Sequence, residues 1–139
     1  MKWMGEFTKI HSMSTKILLV DDNKDLLQIT QIILKAQGYD IFMATTIEEA
    51  ARKIKVHQPS LILLDVSICE QDDGRVYCHQ LKEEAATKGI RIILMSGNEY
   101  DREELSDADD FLQKPFDFLE LTEKTSCQVA AAQNRSLFV

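Results

Sequence analysis

Apolar residues in this chain follow two alternating patterns, short unbroken runs and longer stretches with a helical period. The runs are Lys16-Ile-Leu-Leu-Val20, Tyr39–Ala44, Leu61-Ile-Leu-Leu64, Ile90-Arg-Ile-Ile-Leu-Met95 and Asp110-Phe-Leu-Gln113. Between the first two, Asn23 stands as N-cap of a predicted helix with Leu26, Ile29, Ile33 and Leu34 at helical spacing, closed by Gly38. Thr46-Ile-Glu-Glu49 has capping-box form and opens a second helix with Ile47, Ala50, Ala51 and Ile54 on one face, which Pro59 stops. A third helix is predicted from Gly74 through Val76, Tyr77 and Leu81 to near Gly89. Residues Asp101–Ser106 leave room for only a turn or two of a fourth. Asp117-Phe-Leu-Glu120 caps and starts the last helix, which is expected to fade in the tail Asn134–Val139.

Strands that are apolar on both faces and alternate with helices predict an α/β fold, a doubly wound parallel sheet covered by helices on both sides. The order 2-1-3-4-5, flavodoxin-like, is expected for five strands, with the carboxyl ends of strands 1 and 3 side by side at the switch point. Four of the runs end in polar residues: Asp21-Asp22, Asp65, Ser96-Gly97 and Lys114-Pro115. On one sheet edge these would bring together three carboxylates, a hydroxyl and an ammonium. Carboxylates that close repel unless a cation joins them, and hard oxygen donors favour Mg²⁺ or a similar ion. The set reads as a metal-dependent phosphoryl acceptor.

Composition narrows the classes around that chemistry. The chain has 139 residues, enough for one domain with a real core. A net charge of −7 argues against a nucleic-acid surface, which usually carries a basic patch. No apolar run approaches the ~20 residues needed to cross a bilayer, and no signal-peptide stretch opens the chain, so no membrane insertion is expected. Cys69, Cys78 and Cys127 are odd in number and widely spaced, which favours a reducing cytoplasmic compartment over disulfides or zinc. The run Glu99–Asp110 is expected to be a solvated acidic face, and His11, His57 and His79 to be bystanders. Residues 1–14 read as an irregular extension, native or a cloning remnant, residues 15–132 as the domain, and 133–139 as a tail.

The four strand-end motifs, in this order and spacing, resemble the receiver domain of two-component response regulators, and the resemblance spans about Thr15 to Ala130. It implies that Asp65 accepts a phosphoryl group presented by a phosphohistidine on a sensor histidine kinase or histidine phosphotransfer protein. It implies Mg²⁺ held by Asp21, Asp22, Asp65 and the backbone carbonyl of Ser67. Lys114 would pair with Asp65 before transfer and with the phosphoryl group after it, and the Ser96 hydroxyl would bind another phosphoryl oxygen. Phe111 matches the switch aromatic, which would swing into the space vacated by Ser96; without a tyrosine hydroxyl it would act by packing alone. Such a domain is a signalling module that phosphorylates itself, possessing at most slow autodephosphorylation, and not a turnover enzyme. With no output module after it, a stand-alone receiver is expected, acting on a downstream protein target.

The sequence departs from the family pattern in two places. Val66 to Asp73 is one residue longer than the usual loop, with Cys69 near the proline position, and the Ser96-to-Lys114 interval is about one helical turn short, ~4 residues. A degenerate receiver, acting as a phosphorylation-independent interaction module, is the alternative these departures support. A haloacid-dehalogenase-type phosphatase would need a second Asp two residues after the nucleophile, where Ser67 stands. A flavodoxin would need small and hydroxyl residues in the first βα loop, where Asp22-Asn-Lys-Asp25 stands.

Overall fold

The structure is a computed structural model and describes residues 14–68, 73–98 and 107–137. Its strands are β1 (Lys16–Val20), β2 (Asp40–Ala44), β3 (Leu61–Asp65), β4 (Arg91–Ser96) and β5 (Asp110–Gln113). Its helices, among the described residues, are α1 (Lys24–Ala36), α2 (Ile47–His57), α3 (Gly74–Glu83) and α4 (Phe118–Leu137). All five strands are parallel, in the order β2-β1-β3-β4-β5. The expected architecture is the observed one. The shortened fourth helix expected over 101–106 lies outside the described residues.

Side chains alternate across the pleat and split the core in two. Ile17, Leu19, Leu61, Leu63, Ile93, Met95 and Leu112 face α1 and α4. Leu18, Val20, Ile62, Leu64, Ile92 and Leu94 face α2 and α3. Both faces are therefore buried, which is why the strands read as unbroken apolar runs.

Helix starts follow their caps. Asn23 accepts from the Leu26 N–H at 3.1 Å, Thr46 from Glu49 at 3.1 Å, Asp73 from Arg75 at 2.8 Å and Asp117 from Glu120 at 2.7 Å. Gly38 turns the chain after α1 with φ +96, a conformation that favours glycine.

The structure departs from the sequence expectations at several points. The buried face of α1 is Leu27, Thr30 and Leu34, while Ile29 is exposed, because the apolar stripe is wider than the sheet contact. Val76 is likewise exposed on α3. Helix α3 ends at Glu83 instead of near Gly89: the Thr87 hydroxyl donates to the Leu81 carbonyl at 2.6 Å, and turns at Glu84 and Thr87 bring the chain back to β4. Tertiary closure overrides the helix propensity of Glu84-Ala-Ala86. Finally, Asp109 is no part of a solvated acidic face. It is mostly buried, its carboxylate meeting Lys82 at 2.7 Å and Arg91 at 3.4 Å. The last helix also runs to Leu137, through Asn134 where fading was expected.

Candidate functional site

Parallel register fixes which residues share the carboxyl edge. Val20 pairs with Leu64, Asp65 with Met95, and Ser96 with Gln113. The ladders continue one step beyond the strands: Asp21 N–H donates to the Ala44 carbonyl (3.1 Å), Val66 to Met95 (2.8 Å) and Lys114 to Ser96 (2.7 Å). Backbone bonds thus hold the polar residues at the strand ends before their side chains make any contact.

Those side chains converge. Carboxylate oxygens of Asp21, Asp22 and Asp65 lie within 4.8 Å of one another. Asp21 and Asp65 are buried, and Asp22 is exposed. The Lys114 ammonium reaches across from the end of β5 and stands 2.7 Å from Asp21 and 3.5 Å from Asp65. It is shared between the two carboxylates, and its shorter contact is with Asp21. A second Asp21 oxygen accepts from the Asn23 N–H at 2.9 Å, and Asp65 accepts from the Ser67 N–H at 3.3 Å. Buried Ser96 accepts from the Asn98 N–H at 2.9 Å, which leaves its own hydroxyl proton to be donated elsewhere.

The electrostatics are strained in one direction. Burial, and next the neighbouring Asp21 carboxylate, push the Asp65 carboxyl up to about 6; Lys114 and the Ser67 N–H pull the other way and do not cancel it. Three carboxylates against one ammonium leave the pocket acid-rich among the described residues. Hard oxygen donors with excess negative charge fit a divalent cation such as Mg²⁺.

Phe111 lies at the border of the core, half-buried against the α2/α3 face. Its contacts are not packing alone. The Lys124 ammonium of α4 lies 5.1 Å from the ring centroid and donates to the Phe111 carbonyl at 2.6 Å. Ser67 is exposed beside Asp65.

Two contributors to the site carry little signal in the sequence. Gly74 packs so closely under Asp65 that a Cβ there would come within 2.2 Å of the Asp65 carbonyl oxygen. Only the Asp-Gly step before the third helix hinted at it. Lys124 looks like any surface lysine of a helix, and nothing in its spacing links it to Phe111. Cys78 is buried, its thiol pushed up to about 12 by desolvation, and Cys127 is exposed; neither adjoins the site, and Cys69 lies outside the described residues. His57 stacks on Phe42 and His79 meets Asp107, both away from the acidic pocket.

Comparison with known proteins decides what this arrangement is. The family model of the response regulator receiver domain matches residues 17–126. The chain belongs to that family. As a receiver it is similar to the alkaline phosphatase synthesis transcriptional regulatory protein PhoP of Bacillus subtilis, 36% identical over 107 residues, covering 75% of this chain and 44% of PhoP. It is also similar to the regulatory protein VanR of Enterococcus faecium, 28% identical over 121 residues, covering 84% of this chain and 51% of VanR. The chain thus spans about half the length of these curated relatives. A two-component response regulator from Clostridium difficile superposes with a TM-score of 0.75 at 30% identity, covering 84% of this receiver and 97% of that chain. Among the described residues no helix is long and apolar enough to cross a membrane.

Proposed function

We propose that this receiver takes a phosphoryl group from a phosphohistidine donor onto Asp65. The donor is a sensor histidine kinase or a histidine phosphotransfer protein, and the setting is the cytoplasm. The observation that carries this reading is the position of Asp65, a buried carboxylate at a strand end facing two further aspartates and one ammonium.

Asp21, Asp22, Asp65 and the Ser67 carbonyl are the proposed holders of Mg²⁺. When bound, the ion neutralises charge on the carboxylates and the incoming phosphoryl group. The residues of the chain do the rest. A carboxylate is a weak nucleophile toward an anionic phosphoryl group, so positioning and charge neutralisation must lower the barrier. An Asp65 oxygen forms the new P–O bond as the donor's P–N bond breaks. Lys114, already between Asp21 and Asp65, shifts its hydrogen bonds toward the phosphoryl oxygens. Ser96 donates its hydroxyl proton to another of them, and its loop is drawn in.

The acyl phosphate adds roughly two negative charges. The site answers with donors that prefer the phosphorylated arrangement, and Phe111 moves inward behind Ser96. Taking the equilibrium from 1:99 to 99:1 needs ~5.5 kcal/mol of differential interaction, within reach of a few charge-assisted hydrogen bonds. The output is contact with a downstream protein or onward transfer of the phosphoryl group.

The deciding experiment is intact-protein mass after incubation with Mg²⁺ and acetyl phosphate, for the parent and Asp65→Ala. One added phosphoryl group in the parent only, labile to hydroxylamine, is the expected result. An adduct that persists in Asp65→Ala would refute the acceptor assignment. No adduct from either acetyl phosphate or a phosphorylated histidine donor would favour a phosphorylation-independent interaction module.

A further inference from the structure

β5 is an edge strand, and the ammonium of Lys124 reaches it from α4. That one group makes several contacts. It donates to the Phe111 carbonyl at 2.6 Å, lies 5.1 Å from the centre of the Phe111 ring, and pairs with Asp110 at 3.5 Å and with Glu120 one helical turn back at 3.9 Å. The helix packed on one face of the sheet therefore grips a ring that packs on the other.

We infer that Lys124 is a positioning residue that holds Phe111 in its half-buried resting place, so that the α4 lysine sets how readily the receiver switches. This rests on the proposed inward movement of Phe111. The lysine's bond to the carbonyl belongs to the backbone of β5 and survives rotation of the side chain. Its attraction to the ring does not: a ring turned inward, toward the space behind Ser96, leaves the ammonium behind. A contact made in one state and lost in the other biases the equilibrium toward the first. Asp110 and Glu120 hold the ammonium at the strand edge, so it cannot follow the ring inward.

The bias has a size. A partly exposed ammonium-to-ring contact corresponds to a factor of about two to five in an equilibrium constant. That is small against the drive from phosphorylation, which makes Lys124 a trimmer of the resting population and not the switch itself.

The test uses the full chain labelled with 4-fluorophenylalanine, whose 6 phenylalanine positions give few enough ¹⁹F signals for Phe111 to be assigned from Phe111→Leu. Spectra are compared for the parent, Lys124→Met and Lys124→Arg, with and without beryllofluoride and Mg²⁺ as the phosphoryl mimic. Lys124→Met keeps the apolar stem and removes the charge. Its Phe111 signal should move, without the mimic, toward the position the parent reaches with it, and its apparent affinity for beryllofluoride should rise by about two- to five-fold. Lys124→Arg should match the parent in both. A Lys124→Met protein that is folded by its amide spectrum, yet shows the parent's Phe111 signal and the parent's affinity, would overturn the inference and leave Lys124 as a cap on the strand edge. A Phe111 signal that stays still in the parent while beryllofluoride binds would instead refute the switching role of Phe111, and the inference with it.

Discussion

Two clusters of charge occupy opposite ends of the same sheet, and they are balanced in opposite ways. At the amino end of β5 a single carboxylate, Asp109, meets Lys82 at 2.7 Å, Arg91 at 3.4 Å and the Ile92 N–H at 2.8 Å. The cations are themselves engaged, Lys82 with the Ile90 carbonyl and Arg91 with Gln128, each at 2.8 Å. At the carboxyl end, among the described residues, three carboxylates cluster and the Lys114 ammonium reaches two of them, Asp21 and Asp65. The first cluster is saturated and ties α3, β4, β5 and α4 together. The second is short of positive charge among the described residues, and burial first, then the Asp21 carboxylate, drives up the proton affinity of its central residue, Asp65. Charge that is balanced within the chain holds the fold; charge left unbalanced asks for something from outside.

The largest expected effect belongs to the balanced cluster. Asp109→Ala leaves Lys82 and Arg91 without their carboxylate, so chemical denaturation should show a loss of about 3 kcal/mol. The folded variant should still form the Asp65 adduct, since the site is at the other end of the sheet. Loss of the adduct in a folded protein would show the two ends to be coupled.

Mg²⁺ should act only on the unbalanced cluster. At about 100 times its dissociation constant it should raise stability by about 2.7 kcal/mol, seen as a shift in the denaturation midpoint. Asp22→Ala should remove most of that gain.

Without divalent cations the same site should be a burden that depends on pH. The Asp65 carboxyl sits at about 6 in the folded chain against an ordinary value of 3.8. Between those values the folded state holds a proton that the unfolded state has released, so stability falls as pH rises through the window. Asp65→Asn, which never ionises, should therefore be more stable than the parent by about 2 kcal/mol at pH 8. The advantage should shrink below pH 6 and vanish near pH 4, followed by denaturation in chelator. An advantage that grew on acidification would contradict the charge imbalance.

The smallest effect is expected at Asp22 itself in the absence of metal. It is the exposed member of the trio, and Asp22→Ala should change metal-free stability by no more than about 0.5 kcal/mol.

The unbalanced cluster was far more legible in the sequence than the balanced one. Asp21, Asp65, Ser96 and Lys114 each end an apolar run, and a parallel sheet must bring such ends to one edge. The five strands and their parallel sense followed from the same runs, while their order came with the resemblance to a known fold. Asp109 gave no comparable signal, because its partners Lys82 and Arg91 belong to other elements and the residue sat inside an acidic stretch. Phe111 was legible as a residue but its grip by Lys124 was not, since a contact from helix to strand edge leaves no spacing to read. The end of α3 was misplaced for a similar reason: Glu84 to Ala86 favour helix locally, and only the need to reach β4 turns the chain away. In α1 the local reading placed Ile29 in the apolar stripe, whereas the sheet takes Leu27, Thr30 and Leu34 and leaves Ile29 and Ile32 outside.

The pinch at Gly74 has a further consequence. Its N–H donates to the Val66 carbonyl at 2.8 Å, and its missing side chain lets the backbone lie against that of Asp65. The two ends of the stretch from Val66 to Gly74 are therefore tied together beneath Asp65, like the neck of a purse with its string drawn tight. Residues can be added to or removed from such a loop at the slowly growing cost of loop closure, while the neck stays fixed. In sequence, one residue more than the common pattern is expected between those ends. Changes of length between those two ends should therefore leave the Asp65 carboxylate where it is.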